Sequence, residues 1–244
     1  MLDLNSTSAA EARIIELIDE ACAEQANSQT PRDYLGGSRL GEKCERKLFY
    51  EVTKAPRKPI PGRLARIFDR GHTIEDRVAE WLRLAGFDLR IRNKAGKQFA
   101  FDDVGGRLRG HVDGVIVSGP DVMAYPALWE NKVLNIASFR EVKNHGVRKS
   151  KPVYAGQIAT YQGYMKLADN PALLTVVSAD TMEIVAELVP FDAALAQECI
   201  DRGVRVLDAV DGDCPPPRIA AVATSYHCRF CDFSEHCWGE GDGG

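Results

Sequence analysis

The sequence predicts an α/β chain in the loose sense: helices first, then a mostly antiparallel sheet, with further helices packed on it. Three observations predict it. Apolar residues recur at helical spacing over long stretches, as in Leu64, Ile67, Ile74, Val78 and Leu82. Strand-like runs fill the middle of the chain and close on turn signals such as Ser118-Gly119-Pro120. The composition, 45% hydrophobic and 27% charged, is that of a globular chain, neither disordered nor a fibrous repeat. Its 244 residues suffice for one large domain or two small ones.

The elements follow in order. Residues 9–26 carry Ile14, Leu17, Ile18 and Cys22 on one helical stripe, and a loop runs through 27–37. Ser38 is a candidate cap for a helix over 39–53, which carries Cys44. Pro56, Pro59 and Pro61 make a rigid connector to a long helix over 63–86, closed by Gly86. Strands are expected at 98–103, 108–117 and 128–134. A helix over 152–168 sets Ile158, Tyr161 and Met165 on one stripe. Residues 173–178 and 182–190 read as a hairpin about Ala179-Asp180-Thr181. A last long helix over 192–210 ends at Pro215-Pro216-Pro217, and a cysteine-rich tail follows. The expected organisation is an N-terminal helix and loop (1–37), a core (38–214) and a tail (215–244) packing on the Cys44 region.

The net charge of −4 conceals an asymmetry. Residues 39–70 hold ten Lys/Arg against four Asp/Glu, and residues 137–151 hold five against one. Residues 180–244 hold four against thirteen. Basic stripes of this kind either bind a phosphate backbone or are simply solvated faces. The N-terminus lacks a basic stretch followed by an apolar run, and no window approaches about 18 consecutive apolar residues. The chain is therefore expected to be cytoplasmic, without a membrane partner. Thiols stay reduced there, so clustered cysteines point to metal or catalysis rather than disulfides.

The chemistry starts at Gly110-His111-Val112-Asp113-Gly114 and Trp129-Glu130-Asn131-Lys132. Period-two alternation places Glu130 and Lys132 on one face of a strand, and Asp113 on a face with His111, Val115 and Val117. Two carboxylates among apolar neighbours need compensation, and a divalent cation held by both supplies it. Lys132 can then hold or polarise a water beside the metal. The alternative is an exposed Glu130–Lys132 pair on an edge strand. Glu75, beside the apolar stripe of its helix, is a candidate third carboxylate or a flanking surface acid; His72 is an alternative ligand. Gln157 and Tyr161, four apart on one helix face, offer an amide and a phenol to a phosphate or base.

Taken in order, Gly110-x-x-Asp113, Glu130-x-Lys132 and Gln157-x-x-x-Tyr161 resemble the PD-(D/E)XK nuclease superfamily, in its RecB-like branch. That branch includes phage-type exonucleases and the CRISPR-associated nucleases. Gly71-x-x-x-Glu75 resembles its upstream helix motif, and Ser38-Arg39-Leu40-Gly41-Glu42-Lys43-Cys44-Glu45-Arg46 its N-terminal cysteine motif. The resemblance covers about residues 38–238. It departs at Val112, where the superfamily name has proline, and at Glu75, where the CRISPR-associated members typically carry a metal-binding histidine. It implies a restriction-endonuclease-like core, a central mixed sheet flanked by helices. It further implies that Asp113 and Glu130 bind Mg²⁺ or Mn²⁺ with the Asn131 carbonyl as a further ligand, and that Glu75 supports the site. Gln157 and Tyr161 would contact DNA near the scissile phosphate.

Cys228-Arg229-Phe230-Cys231 followed by Cys237 gives three thiols at ligand spacing, with Cys44 as the candidate fourth. Spacing admits both zinc and [4Fe–4S]; the resemblance favours a structural [4Fe–4S] cluster, because iron–sulfur members place one cysteine before the core and three after it. Cys22, Cys199 and Cys214 read as ordinary buried thiols. DNA, as ends or single strands, is the expected partner, with Arg39, Lys43, Arg46, Arg70 and Lys149 along its track and Phe49, Tyr50, Phe139 and Tyr154 as candidate stacking residues or core. The expected activity is a metal-dependent DNA exonuclease of a bacterial or phage-infected cell, with recombination or CRISPR-adaptation proteins as further partners. The alternatives are a spacer-processing nuclease of the CRISPR-associated type, a non-catalytic DNA-binding or assembly module on the same fold, and a redox or zinc protein built on the four cysteines.

Overall fold

The alternating runs fold into two sheets rather than one. The structure, a computed structural model, describes residues 9–239, so the outermost parts of the 1–37 and 215–244 segments lie outside the described residues. The helices are α1 (Ala9–Asn27), α2 (Glu45–Val52), α3 (Gly62–Leu84), α4 (Ile136–Ser150), α5 (Pro152–Tyr164), α6 (Ala193–Asp211) and α7 (Ser234–Gly239). The strands are β1 (Leu35–Gly36), β2 (Leu89–Arg90), β3 (Ala100–Asp103), β4 (Leu108–His111), β5 (Gly114–Ile116), β6 (Ala127–Leu134), β7 (Ala172–Ser178) and β8 (Ile184–Val189). A small sheet has the order β1-β4-β3 and a larger one β2-β5-β6-β7-β8. The β1–β4 and β6–β7 pairs are parallel and the others antiparallel, so both sheets are mixed.

β7 is buried along its whole length and β6 along most of it, as expected of strands covered on both faces. β8 alternates between exposed and half-buried residues, which suits the edge of the sheet. One core joins Leu128, Leu174, Val176, Phe139, Ile158 and Val206, packing α4, α5 and α6 on one face. A second joins Val78, Ala79, Leu89, Ile116, Trp129 and Val177 beneath α3 on the other. Trp129 is fully buried there, and its indole N–H donates to Thr175 Oγ1 at 3.0 Å.

Three expectations need correction. The predicted 39–53 helix starts only at Glu45; residues 37–39 form a short 3-10 turn, and Ser38 caps nothing. The predicted 108–117 strand breaks at Val112-Asp113, leaving the small sheet as β4 and entering the large one as β5. α4 was missed, because Gly146 interrupts its pattern. The backbone there turns to φ 73°, and the freed Val147 N–H donates to Glu187 Oε2 at 2.9 Å. The 173–178/182–190 hairpin is present as β7–β8, and Asp192 caps α6 by accepting from Leu195 N at 3.0 Å.

Gly110 is opposite Phe101 across the β3–β4 pair. A Cβ on it would stand 2.6 Å from Phe101 Cζ and 2.9 Å from Tyr161 Cε1, while one on Gly37 would stand 2.7 Å from the same Phe101 atom. The two rings thus fill the space that two glycines leave. Gly110→Ala is expected to cost about 1–3 kcal/mol through overpacking. A shift of the urea midpoint to lower concentration checks it; an unchanged midpoint would count against this packing.

Candidate active site

The break at Val112-Asp113 creates the site. Val112 is fully buried and its N–H donates to Phe99 O at 3.0 Å, which anchors the crossing peptide. The next residue, Asp113, stands at the seam between the sheets. Its Oδ2 accepts the Asn131 N–H at 2.8 Å, which brings it alongside β6. Along β6, Glu130 and Lys132 share a face with Leu128 and Leu134, as the alternation predicts. Lys132 Nζ donates to Glu130 Oε1, which also accepts from Gln157 Nε2 at 2.5 Å. The Glu130 side chain is fully buried, so the surface-pair alternative does not describe this residue.

A cavity of about 520 Å³ opens here. Asp113, Glu130, Lys132, Glu75, His72, Gln157 and Tyr161 all line it, drawn from β6, α3, α5 and the sheet crossing. Asn131 is buried beside it; its amide oxygen accepts from Thr175 Oγ1 at 2.9 Å.

The electrostatics are those of too many acids in too little water. Burial holds the Glu130 carboxyl up at about 8, helped by the Asp113 charge and opposed by Lys132. Burial and Asp113 hold Glu75 up at about 7. Asp113 is raised by burial, against the pull of Lys132 and of the Asn131 N–H. Burial alone would lower the Lys132 ammonium, but Glu130 and Asp113 more than offset it, so it stays charged. Tyr161 is pushed up by burial and by Glu130, which keeps its phenol a donor.

Glu130 Oε2 is buried and, among the described residues, has no hydrogen-bond partner. Carboxylate oxygens only accept, so a buried orphan beside a second carboxylate asks for a proton or a cation. Oxygen donors of this kind suit a hard divalent ion. The donor set therefore fits Mg²⁺ or Mn²⁺. Among the described residues, no group of three or more His, Cys, Asp or Glu is arranged to hold a metal ion as it stands.

The raised carboxyls set a pH dependence. Unfolded glutamate titrates near about 4.3. Between there and about 8 the folded metal-free protein keeps protons that the unfolded chain has released, so its stability falls as pH rises through that window. A cation must displace those protons, so its binding strengthens over the same range. Added Mg²⁺ or Mn²⁺ is expected to raise the thermal midpoint more at about pH 8 than at about pH 6. An increment independent of pH would contradict this assignment.

The sequence missed a second group at the cavity: Arg32, Tyr34, Arg92 and Arg109 line it too. The Tyr34 ring has the Arg32 guanidinium 5.7 Å and the Arg109 guanidinium 5.2 Å from its centre. The available signal was Arg109 directly preceding Gly110; Arg32 and Tyr34 sit in a loop with no pattern.

The basic residues read as a DNA track lie elsewhere. None of Arg39, Lys43, Arg46, Arg70 and Lys149 lines the cavity. Arg39 is engaged by Glu51 at 2.8 Å, and Arg46 Nε donates to Pro216 O at 2.6 Å, so both hold the fold together. Lys43 and Lys149 are exposed. Phe49, Tyr50 and Phe139 are core residues, not stacking surfaces, and Tyr154 lies half-buried with Lys132 Nζ 5.3 Å from its ring centre.

Cys44 immediately precedes α2, and with Cys228, Cys231 and Cys237 it lines one small recess. The tail is fastened around it: Lys58 N–H donates to Asp232 O at 2.8 Å, and Tyr50 packs against Phe233 at 5.6 Å. Cys199 is buried and Cys22 half-buried, but Cys214 is exposed, contrary to expectation.

No family model and no curated protein matches this sequence. Solved structures do. The protein SSO0001 superposes with a TM-score of 0.51 at 15% identity, over 94% of this chain and 98% of that one. The alkaline exonuclease LHK-Exo from Laribacter hongkongensis superposes with a TM-score of 0.51 at 16% identity, over 81% of this chain and 93% of that one. The architecture, mixed sheets flanked by helices, is thus that of a nuclease structure. No helix among the described residues is long and apolar enough to cross a membrane.

Proposed function

We propose that this chain is a metal-dependent deoxyribonuclease that hydrolyses phosphodiester bonds from DNA ends. The observation that carries the reading is the convergence of Asp113, Glu130 and Lys132 in one cavity, with a buried carboxylate oxygen that lacks a hydrogen-bond partner among the described residues. Asp113 and Glu130 would hold Mg²⁺ or Mn²⁺, with the Asn131 carbonyl and Glu75 or His72 completing the set. The cation would supply charge neutralisation to the scissile phosphate.

The remaining roles belong to the chain. Lys132 directs its ammonium hydrogens at the oxygen of the attacking water and holds it in line with the phosphorus. Tyr161 donates its phenolic hydrogen to a non-bridging phosphate oxygen. Gln157 fixes the Glu130 carboxylate through its amide. Arg32, and Arg109, which is also paired with Asp102 at 3.1 Å, offer charge to phosphates entering the cavity. The likeness in fold to an exonuclease supports end-directed action.

The four thiols Cys44, Cys228, Cys231 and Cys237 would hold a structural [4Fe–4S] cluster, with Zn²⁺ as the alternative; their meeting in one recess supports this. The test is degradation of end-labelled single- and double-stranded DNA by anaerobically purified protein, with and without Mg²⁺ or Mn²⁺. Release of short labelled products that needs the cation is expected. DNA binding with no cleavage under any cation would leave a non-catalytic module instead.

A further inference from the structure

The turn between Cys228 and Cys231 has a use beyond holding cysteines. Tyr226 and Phe230 are among the most exposed large apolar side chains, at 76% and 78%. Between them lies Arg229, its guanidinium 5.7 Å from the Tyr226 ring centre and 4.7 Å from that of Phe230. His227 stands edge-on to Tyr226 at 5.6 Å. Exposed aromatic rings interleaved with a cation form a surface for flat, anionic, π-bearing ligands.

We propose that Tyr226, Arg229 and Phe230 form a stacking platform for a single strand of nucleic acid whose end lies in the cavity. The inference rests on the nuclease reading for its direction, but its binding chemistry is independent. Arg229 lies over one face of each ring, so each ring offers its other face to a base, and Arg229 offers charge to the phosphates that pass it. Although residues 180–244 are acidic overall, positions 226–230 carry no acid. The nearby Glu235 is met by Lys58 at 3.4 Å. Chain connectivity bounds how far the recess beside the platform stands from the cavity. Ser38 lines the cavity and Cys44 lines the recess beside Cys231, and six residues span at most about 20 Å. Phe230 is next to Cys231 in the chain, so an oligonucleotide of about 20 nucleotides is long enough to reach from the platform to the cavity.

The experiment compares wild type with the Tyr226→Ala/Phe230→Ala and Tyr226→Leu/Phe230→Leu double variants. Binding of a fluorescent oligo-dT of about 20 nucleotides is followed by anisotropy in EDTA, and cleavage of the same strand and of a dinucleotide in Mn²⁺. Affinity for the long strand is expected to fall about 10–100-fold in both variants. KM should rise for the long strand with kcat unchanged, and dinucleotide cleavage should stay at the wild-type level. Unchanged affinity in the alanine variant overturns the platform while leaving the nuclease reading intact. Full binding by the leucine variant overturns stacking as the mode of contact. Wild-type binding without cleavage, lost in both variants, supports the platform and sinks the nuclease reading.

Discussion

Lys132→Ala is expected to lower cation-dependent DNA degradation by about 10²–10⁴-fold. Lys132 is the ammonium set between the two carboxylates, and it stays charged because Glu130 and Asp113 outweigh its burial. In the proposed mechanism, removing it strips the attacking water of its positioning group. It also removes the charge that opposes the Glu130 shift, so Glu130 holds its proton still more firmly in the metal-free protein. The variant should therefore need a higher pH or more cation to recover metal binding. Calorimetric titration with Mn²⁺ separates this from the chemical step: at saturating Mn²⁺ the rate deficit should persist. Equal rates for variant and wild type would remove Lys132 from the mechanism.

Cys228→Ser is expected to abolish stoichiometric iron and to release the C-terminal tail. Structural metal sites contribute on the order of 10–16 kcal/mol in small zinc-binding peptides, comparable to the whole stability of a domain at about 5–15 kcal/mol. Cys228 is buried in the recess that joins the tail to α2, where the remaining fastenings, such as the Lys58 N–H on Asp232 O and Tyr50 on Phe233, are individually weak. Cys214→Ser is the control: that thiol is exposed and lies outside the recess. Iron content, a thermal midpoint and protease sensitivity of the tail should change for Cys228→Ser alone. Wild-type iron content and melting in Cys228→Ser would refute the cluster; zinc in place of iron would refute its identity.

How much of this was legible in the sequence depends on whether a signal is local. The Glu130–Lys132 pair needed only strand alternation, and the Gln157–Tyr161 pair only helical spacing; both sit on regular elements. Asp113 was legible as a residue but not as a geometry. A continuous 108–117 strand would have carried one hydrogen-bond ladder past Asp113, whereas the chain changes sheets at that point, with His111 and Asp113 still lining one cavity. The apolar pattern does not register this, because Leu108, Val112, Val115 and Ile116 are buried in either arrangement. The placement of the basic residues was not legible for another reason. Charge counts cannot distinguish a free guanidinium from one committed to Glu51 or to the Pro216 carbonyl. Tyr34 and its two arginines come from distant positions and meet only in three dimensions.

The passage of the chain from β4 to β5 acts as a fixed-length spacer. Its two ends are gripped by different hydrogen-bond ladders, so neither sheet can absorb a change in length without slipping its register. A one-residue insertion within 108–116 would turn either Gly110 away from Phe101 or Asp113 away from β6. By contrast, the 117–126 connection, which is mostly exposed, has no such double tether. Variants of this chain should therefore reject insertion in the first segment even where they accept substitution, as at positions other than Gly110 and Asp113, and accept both in the second. Deep insertional scanning would reveal the site as a short interval of forbidden lengths.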